Sequence, residues 1–141
     1  MQKTTKSTKV SDISRRWYLV DAKDKILGRV AVEAAKYLIG KYKPYYVRNM
    51  DCGDYVVVIN AKHVRVTGKK EKQKLYSRYS GYPGGLKQIA LWQMRQQHPE
   101  EIIRHAVKGM LPKNKLQKGM ISRLEVYPDQ THPHAKQFAT A

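Results

Sequence analysis

Apolar residues fall along this chain in two rhythms. Trp17-Tyr18-Leu19-Val20 and Tyr55-Val56-Val57-Val58-Ile59 are short aromatic and β-branched runs, the pattern of buried strands. Between them Leu27, Val30, Ala31, Ala34 and Leu38 recur at spacings of 3, 1, 3 and 4, the helical period. Asp24 is placed to cap that helix, and Gly40 to end it in a left-handed conformation. The second run is apolar at nearly every position, which predicts burial on both faces, as in a parallel sheet covered by helices. Strand, helix and strand form a βαβ unit with an expected right-handed crossover. Val64-Arg65-Val66 is expected as a short third strand that stops at Thr67-Gly68.

The pattern then changes. Over residues 75–86, Tyr76, Tyr79 and Tyr82 alternate with Ser, Arg and Gly and run into Pro83-Gly84-Gly85, which predicts a loop or hairpin turn. A helix is expected near residues 90–97. Another starts at Pro99, with His98 leading in and Glu100 and Glu101 complementing the macrodipole of its first turn. Its core face is Ile102, Ile103, Ala106, Val107 and Met110, and Gly109 and Pro112 mark its end. Residues 116–124 hold a short helix, and Glu125-Val126-Tyr127 a last strand. The class is α/β, with helices packed on a small sheet.

Charge changes the picture more than composition does. The 141 residues carry 28 Lys or Arg against 11 Asp or Glu, a formal +17. The length fits one domain. Such an excess repels itself unless a polyanion screens it, so nucleic acid is the leading partner and an anionic membrane surface the second. The excess is spread: +4 over residues 1–16, +4 over 17–66, +5 over 67–88, +4 over 89–127, and none over the last 14. Residues 1–16 are polar and basic, without the apolar stretch of a secretory signal, and are expected as a basic arm rather than a targeting segment. The domain proper is expected at residues 17–134, with residues 135–141 as a tail.

Tests for catalytic chemistry fail. The turn after the first strand holds Gly28 alone, with no dinucleotide or phosphate-loop fingerprint. One cysteine, Cys52, excludes an internal disulfide, and the flanking Asp51 and Asp54 disfavour its thiolate. Asp51 and Asp54 themselves are expected to stabilise a turn into the second strand by Asx hydrogen bonding. His132-Pro133-His134 could chelate a metal, but no further ligands cluster nearby. No cofactor, metal or small-molecule substrate is therefore expected. Basic segments interleaved with tyrosine remain. Lys41, Lys43 and Arg48 alternate with Tyr42, Tyr45 and Tyr46, and the run 69–74 leads into Tyr76, Arg78, Tyr79 and Tyr82. Lysine and arginine neutralise phosphates, tyrosine stacks on unpaired bases, and glycines admit a close phosphate. This favours RNA over a membrane, since no helix joins a basic face to a bulky apolar one.

The ordered motifs are similar to those of a known family. Trp17-Tyr18-Leu19-Val20-Asp21-Ala22, Leu27-Gly28-Arg29, Asp51-x-Gly53-Asp54 through Ala61, Val66-Thr67-Gly68-Lys69-Lys70 and Gly84-Gly85-Leu86-Lys87 resemble the universal large-subunit ribosomal protein thirteen family. So do Ala106-Val107-Lys108-Gly109-Met110-Leu111-Pro112-Lys113, Leu124-Glu125-Val126-Tyr127 and His132-x-His134. The style is bacterial or organellar; residues 45–50 depart from the family wording. The resemblance implies a three-layer α/β/α fold on a four-stranded parallel or mixed sheet of order 3-2-1-4. It implies a non-enzymatic protein of the ribosome that binds large-subunit ribosomal RNA, meets neighbouring ribosomal proteins and joins early in assembly. Its RNA-facing elements are the Lys69-Lys70 turn, the loop 82–87 and the segment 108–118. Basic segments and resemblance together give the expected RNA-binding residues as Lys43, Arg48, Lys69, Lys70, Arg78, Tyr82, Gly84, Gly85, Lys87, Lys108, Lys113, Lys115, Lys118, Arg123, His132 and His134.

Overall fold

The structure, a computed structural model, describes residues 5–139. The first four residues of the expected arm and the last two of the tail lie outside them. Strand β1 (Trp17–Asp21) leads through helix α1 (Leu27–Ile39) to β2 (Tyr55–Ile59), parallel to β1 and in register from Trp17 opposite Tyr55 to Asp21 opposite Ile59. Helix α2 (Lys70–Gln73) precedes strands β3 (Leu75–Tyr79) and β4 (Leu86–Ala90). Helices α3 (Leu91–Gln97), α4 (Pro99–Met110) and α5 (Gln117–Ser122) follow, then β5 (Leu124–Val126) and helix α6 (Ala135–Ala139).

The main sheet has the order β1-β2-β5, all parallel, and β3 and β4 form a separate antiparallel hairpin. This corrects the expected four-stranded 3-2-1-4 sheet. Val64-Arg65-Val66 makes a single bridge, from Arg65 to Ile26, rather than a strand. A 3₁₀ turn at Ala61–His63 precedes it and Gly68, with φ +65°, follows, so too little extended chain remains for a ladder. The Arg65 carbonyl instead accepts the Leu27 amide at 2.8 Å and caps α1. Asp24 does not cap it: Asp24 is left-handed at φ +57°, and the helix begins three residues later without a side-chain cap.

Elsewhere the hydrophobic pattern was a reliable guide. β2 is the central strand, and Val56, Val57 and Val58 are fully buried. α1 buries Leu27, Val30, Ala31, Ala34, Ala35 and Leu38, and Gly40 closes it at φ +76°. α4 packs beside α1 and buries Ile102, Ile103 and Val107, while Met110 points outward. The opposite face of the sheet carries an aromatic stack. Trp17 lies 4.5 Å from Tyr55 and 5.0 Å from His134, centroid to centroid, with the Phe138 edge against it. The C-terminal segment thus covers the Trp17 end of the face opposite α1, and leaves Leu19 on that face exposed.

Candidate nucleic-acid interface

Two of the expected contact residues, Lys43 and Arg123, turn inward. Lys43 is buried: its Nζ donates to Asp54 Oδ1 at 2.6 Å and to the Ser14 carbonyl at 2.7 Å. Asp54 also accepts the Arg16 amide at 2.9 Å and the Tyr42 hydroxyl. Partial desolvation, then that hydrogen bond, push the Tyr42 hydroxyl above the usual tyrosine range. Arg123 is buried beside Asp51, with Nη2 2.6 Å from Oδ1 and Nη1 on Oδ2. Burial alone would raise the Asp51 carboxyl, but the Arg123 hydrogen bonds and charge outweigh it and hold it below its ordinary value. Arg123 Nη2 also donates to the Leu38 carbonyl at 3.2 Å, so the cation caps the C-terminal end of α1, where the helix dipole favours it. His134 is engaged in the Trp17 stack, and His132 sits against Tyr127 and Phe138.

Lys43 and Arg123 are therefore paired with carboxylates inside the fold, whereas His132 and His134 pack against aromatic rings and stay half-exposed. The reason is length and reach: a long cation spans from a surface position to a buried carboxylate, and burial is tolerated once it is paired. The Asp51 and Asp54 turn does have the expected Asx bond, from the Gly53 amide to Asp51 Oδ1 at 3.2 Å. The described part of the basic arm is also fastened. Thr8 Oγ1 donates to the Tyr45 carbonyl at 2.7 Å, and Arg15 reaches the carbonyls of Gly53 and Asp51 at 2.5 and 3.0 Å.

The other expected cations face solvent. Arg48, Lys69, Lys70, Arg78, Lys87, Lys108, Lys113, Lys115 and Lys118 are all exposed, and none has a carboxylate partner among the described residues. Several of their carrier segments are tied by hydrogen bonds. The loop at 112–116 is held by the Asn114 amide on the Pro112 carbonyl (3.0 Å) and the Leu116 amide on Asn114 Oδ1 (3.0 Å), which leaves Lys113 and Lys115 outward. Gln117 Nε2 donates to the Lys108 carbonyl at 3.0 Å and ties α5 to the end of α4. In the hairpin, Arg78 lies directly opposite Lys87. Like charges facing across strands are unfavourable alone, and an anion between them removes the cost. The hairpin loop closes through the Gly85 amide on the Tyr82 carbonyl at 3.0 Å, with Gly81 and Gly84 left-handed, and leaves Tyr82 75% exposed. Of the tyrosines, Tyr79 and Tyr82 are free to stack, whereas Tyr42, Tyr45 and Tyr76 are occupied in packing.

Folding links these separate segments. A cleft of about 350 Å³ runs between Lys41, Tyr46 and Arg48 on one side and Met110, Pro112 and Asn114 on the other. Met110 also lines a second cleft of about 250 Å³ with Gly28, Thr67, Lys70 and Lys74. A third, at Thr67, Lys69, Lys70 and Lys74, continues it. One basic surface thus runs from Arg48 past the end of α4 to α2. Lys41 and Lys74 belong to it but were absent from the expected set. Lys74 follows Lys70 by four residues, a spacing that brings the two to one side of a helical turn.

Fold and surface define a basic α/β protein whose linked loops carry cations without carboxylate partners among the described residues. A family profile described as ribosomal protein L13 matches residues 15–133. A Dehalococcoides mccartyi protein named large ribosomal subunit protein uL13 is 53% identical over 133 residues, covering 94% of this chain and 93% of that protein. The protein of the same name from Herpetosiphon aurantiacus is 52% identical, covering 94% and 92%. That from Caldanaerobacter subterraneus subsp. tengcongensis is 54% identical over 129 residues, covering 92% and 90%. This chain belongs to the ribosomal protein L13 family.

Proposed function

We propose that the chain is a structural constituent of the large ribosomal subunit that binds large-subunit ribosomal RNA in a bacterial-type ribosome. Membership of the L13 family over residues 15–133 carries this reading. The role is binding and scaffolding rather than catalysis. Lys69, Lys70 and Lys74, with Arg48 and Lys41, neutralise phosphates along the linked clefts, and Lys108, Lys113, Lys115 and Lys118 do so on the exposed surface near the end of α4. Arg78 and Lys87 hold a further phosphate on the hairpin, where the open face of Gly84 lets it approach the backbone and Tyr82 stacks on an unpaired base. Gly85, packed against Ser80 and bonded to Tyr82, closes the turn instead of meeting the phosphate. The fastened loops are formed before the RNA arrives, so little ordering entropy opposes binding. That suits a protein that joins early in assembly and then meets neighbouring ribosomal proteins.

Replacing Lys113, Lys115 and Lys118 together by alanine is expected to leave folding intact, since all three are exposed. It should lower the slope of log affinity against log salt by about 2, at roughly 0.7 for each phosphate left without its cation. Filter binding to bacterial large-subunit ribosomal RNA across a salt series measures it. An unchanged slope would remove the segment from the interface.

A further inference from the structure

We propose that Glu71 is a positioning residue for the RNA-facing lysines of α2, acting through Arg95. The inference rests on the RNA reading above and adds an acidic residue to it. Glu71 is the lone acid in the run Lys69-Lys70-Glu71-Lys72-Gln73-Lys74. By charge alone it opposes binding to phosphates.

Its geometry gives it a different part. Arg95 Nε donates to Glu71 Oε1 at 2.8 Å and Nη2 to Oε2 at 2.9 Å, a two-pronged match of guanidinium to carboxylate. The remaining amine of the same guanidinium, Nη1, donates to the carbonyls of Val64 at 2.6 Å and Lys62 at 3.0 Å. One side chain on α3 therefore fastens the 3₁₀ turn before Val64 and the helix α2 to the core.

α2 needs such a fastening. It is a single turn of four residues, buries none of them, and is far below the length at which a helix is stable alone. Its far end is held by the Leu91 amide on the Lys74 carbonyl at 2.9 Å. With both ends fixed, Lys70 and Lys74 face the cleft that Gly28 and Met110 line. Without Glu71 the turn frays, and the lysines no longer meet the RNA from one rigid wall.

The two effects of Glu71 have opposite signs, so one substitution separates them. Glu71→Gln removes a negative charge. If charge governs, binding to in vitro transcribed bacterial large-subunit ribosomal RNA tightens. If position governs, it weakens, by about threefold or more, the loss expected for a charge-assisted pair. Hydrogen exchange at the Gln73 and Lys74 amides, which bond to the Lys69 and Lys70 carbonyls, should then be faster in Glu71→Gln while the Val57 and Val58 amides keep their rates. Lys72→Gln is the comparison: it loses a positive charge but no clamp, and should leave exchange unchanged. Equal or tighter binding by Glu71→Gln overturns the inference, as does weaker binding without faster exchange at Gln73 and Lys74. A wild-type chain with no salt-dependent affinity for the RNA overturns the RNA reading itself, and the inference with it.

Discussion

Gly53→Ala is expected to cost about 3–5 kcal/mol of folding stability, combining overpacking with broken hydrogen bonds. The position lies where the chain entering β2 crosses the end of α1. A Cβ on Gly53 would sit 1.7 Å from the Leu38 carbonyl oxygen, 2.5 Å from its carbon and 2.7 Å from Arg123 Nη2. The first two are backbone, so no rotamer change relieves the clash. The crossing is tight from the other side too, since a Cβ on Gly40 would lie 2.5 Å from the Cys52 oxygen. Moving this segment away from α1 would break the Asp54 amide bond to the Tyr37 carbonyl (3.0 Å) and the Arg123 bond to Leu38. Those two bonds satisfy carbonyls that the end of a helix otherwise leaves unpaired. Gly28→Ala is the control. Nothing lies within 4 Å of its Cβ position, and it is helical, so alanine should be neutral or stabilising by up to about 1 kcal/mol. Urea unfolding of the two variants measures the contrast, and a Gly53→Ala loss below about 1 kcal/mol would show that the crossing is looser than described.

Lys43→Met is expected to cost a similar amount, about 3–5 kcal/mol, because it leaves Asp54 as a buried carboxylate without its cation. The side chains are 6% and 0% exposed, so solvent does little to screen the pair. Removing both charges in Lys43→Met with Asp54→Asn should recover part of the loss, since the amide oxygen still accepts the Arg16 amide and the amide nitrogen can donate to the Tyr42 hydroxyl oxygen. The RNA salt slope of the folded Lys43→Met protein should match that of the wild type. Chemical denaturation and salt-series binding on the same samples separate the two roles. A stable variant with a reduced slope would return Lys43 to the interface.

The residues with local signals were readable from sequence. The α1 spacing and the apolar run of β2 each point to one local structure, and each forms as expected. The Gly-Pro-rich stretch left a loop or a hairpin turn open, and it forms the turn between two strands, Leu75–Tyr79 and Leu86–Ala90. What failed depends on distant partners. Nothing near Lys43 or Arg123 in the sequence says that they reach inward; their carboxylates lie 11 and 72 residues away. Val64-Arg65-Val66 has the composition of a strand, but the turns on both sides leave it one bridge, and the capping of α1 uses it instead. The linked clefts could not be read from the chain either, because Met110 joins them only after α4 packs beside α1. By contrast, the lysines of the basic runs at 69–74 and 113–118 have no ion-pair partner among the described residues, and the one acid within those runs, Glu71, is taken by Arg95.

The most direct test of the account is where the chain sediments. A tagged copy expressed in a bacterium and separated on a sucrose gradient is predicted to travel with free large subunits and with whole ribosomes, and to be missing from free small subunits. Recovery only at the top of the gradient, or equally with both subunits, would contradict the assignment to the large subunit.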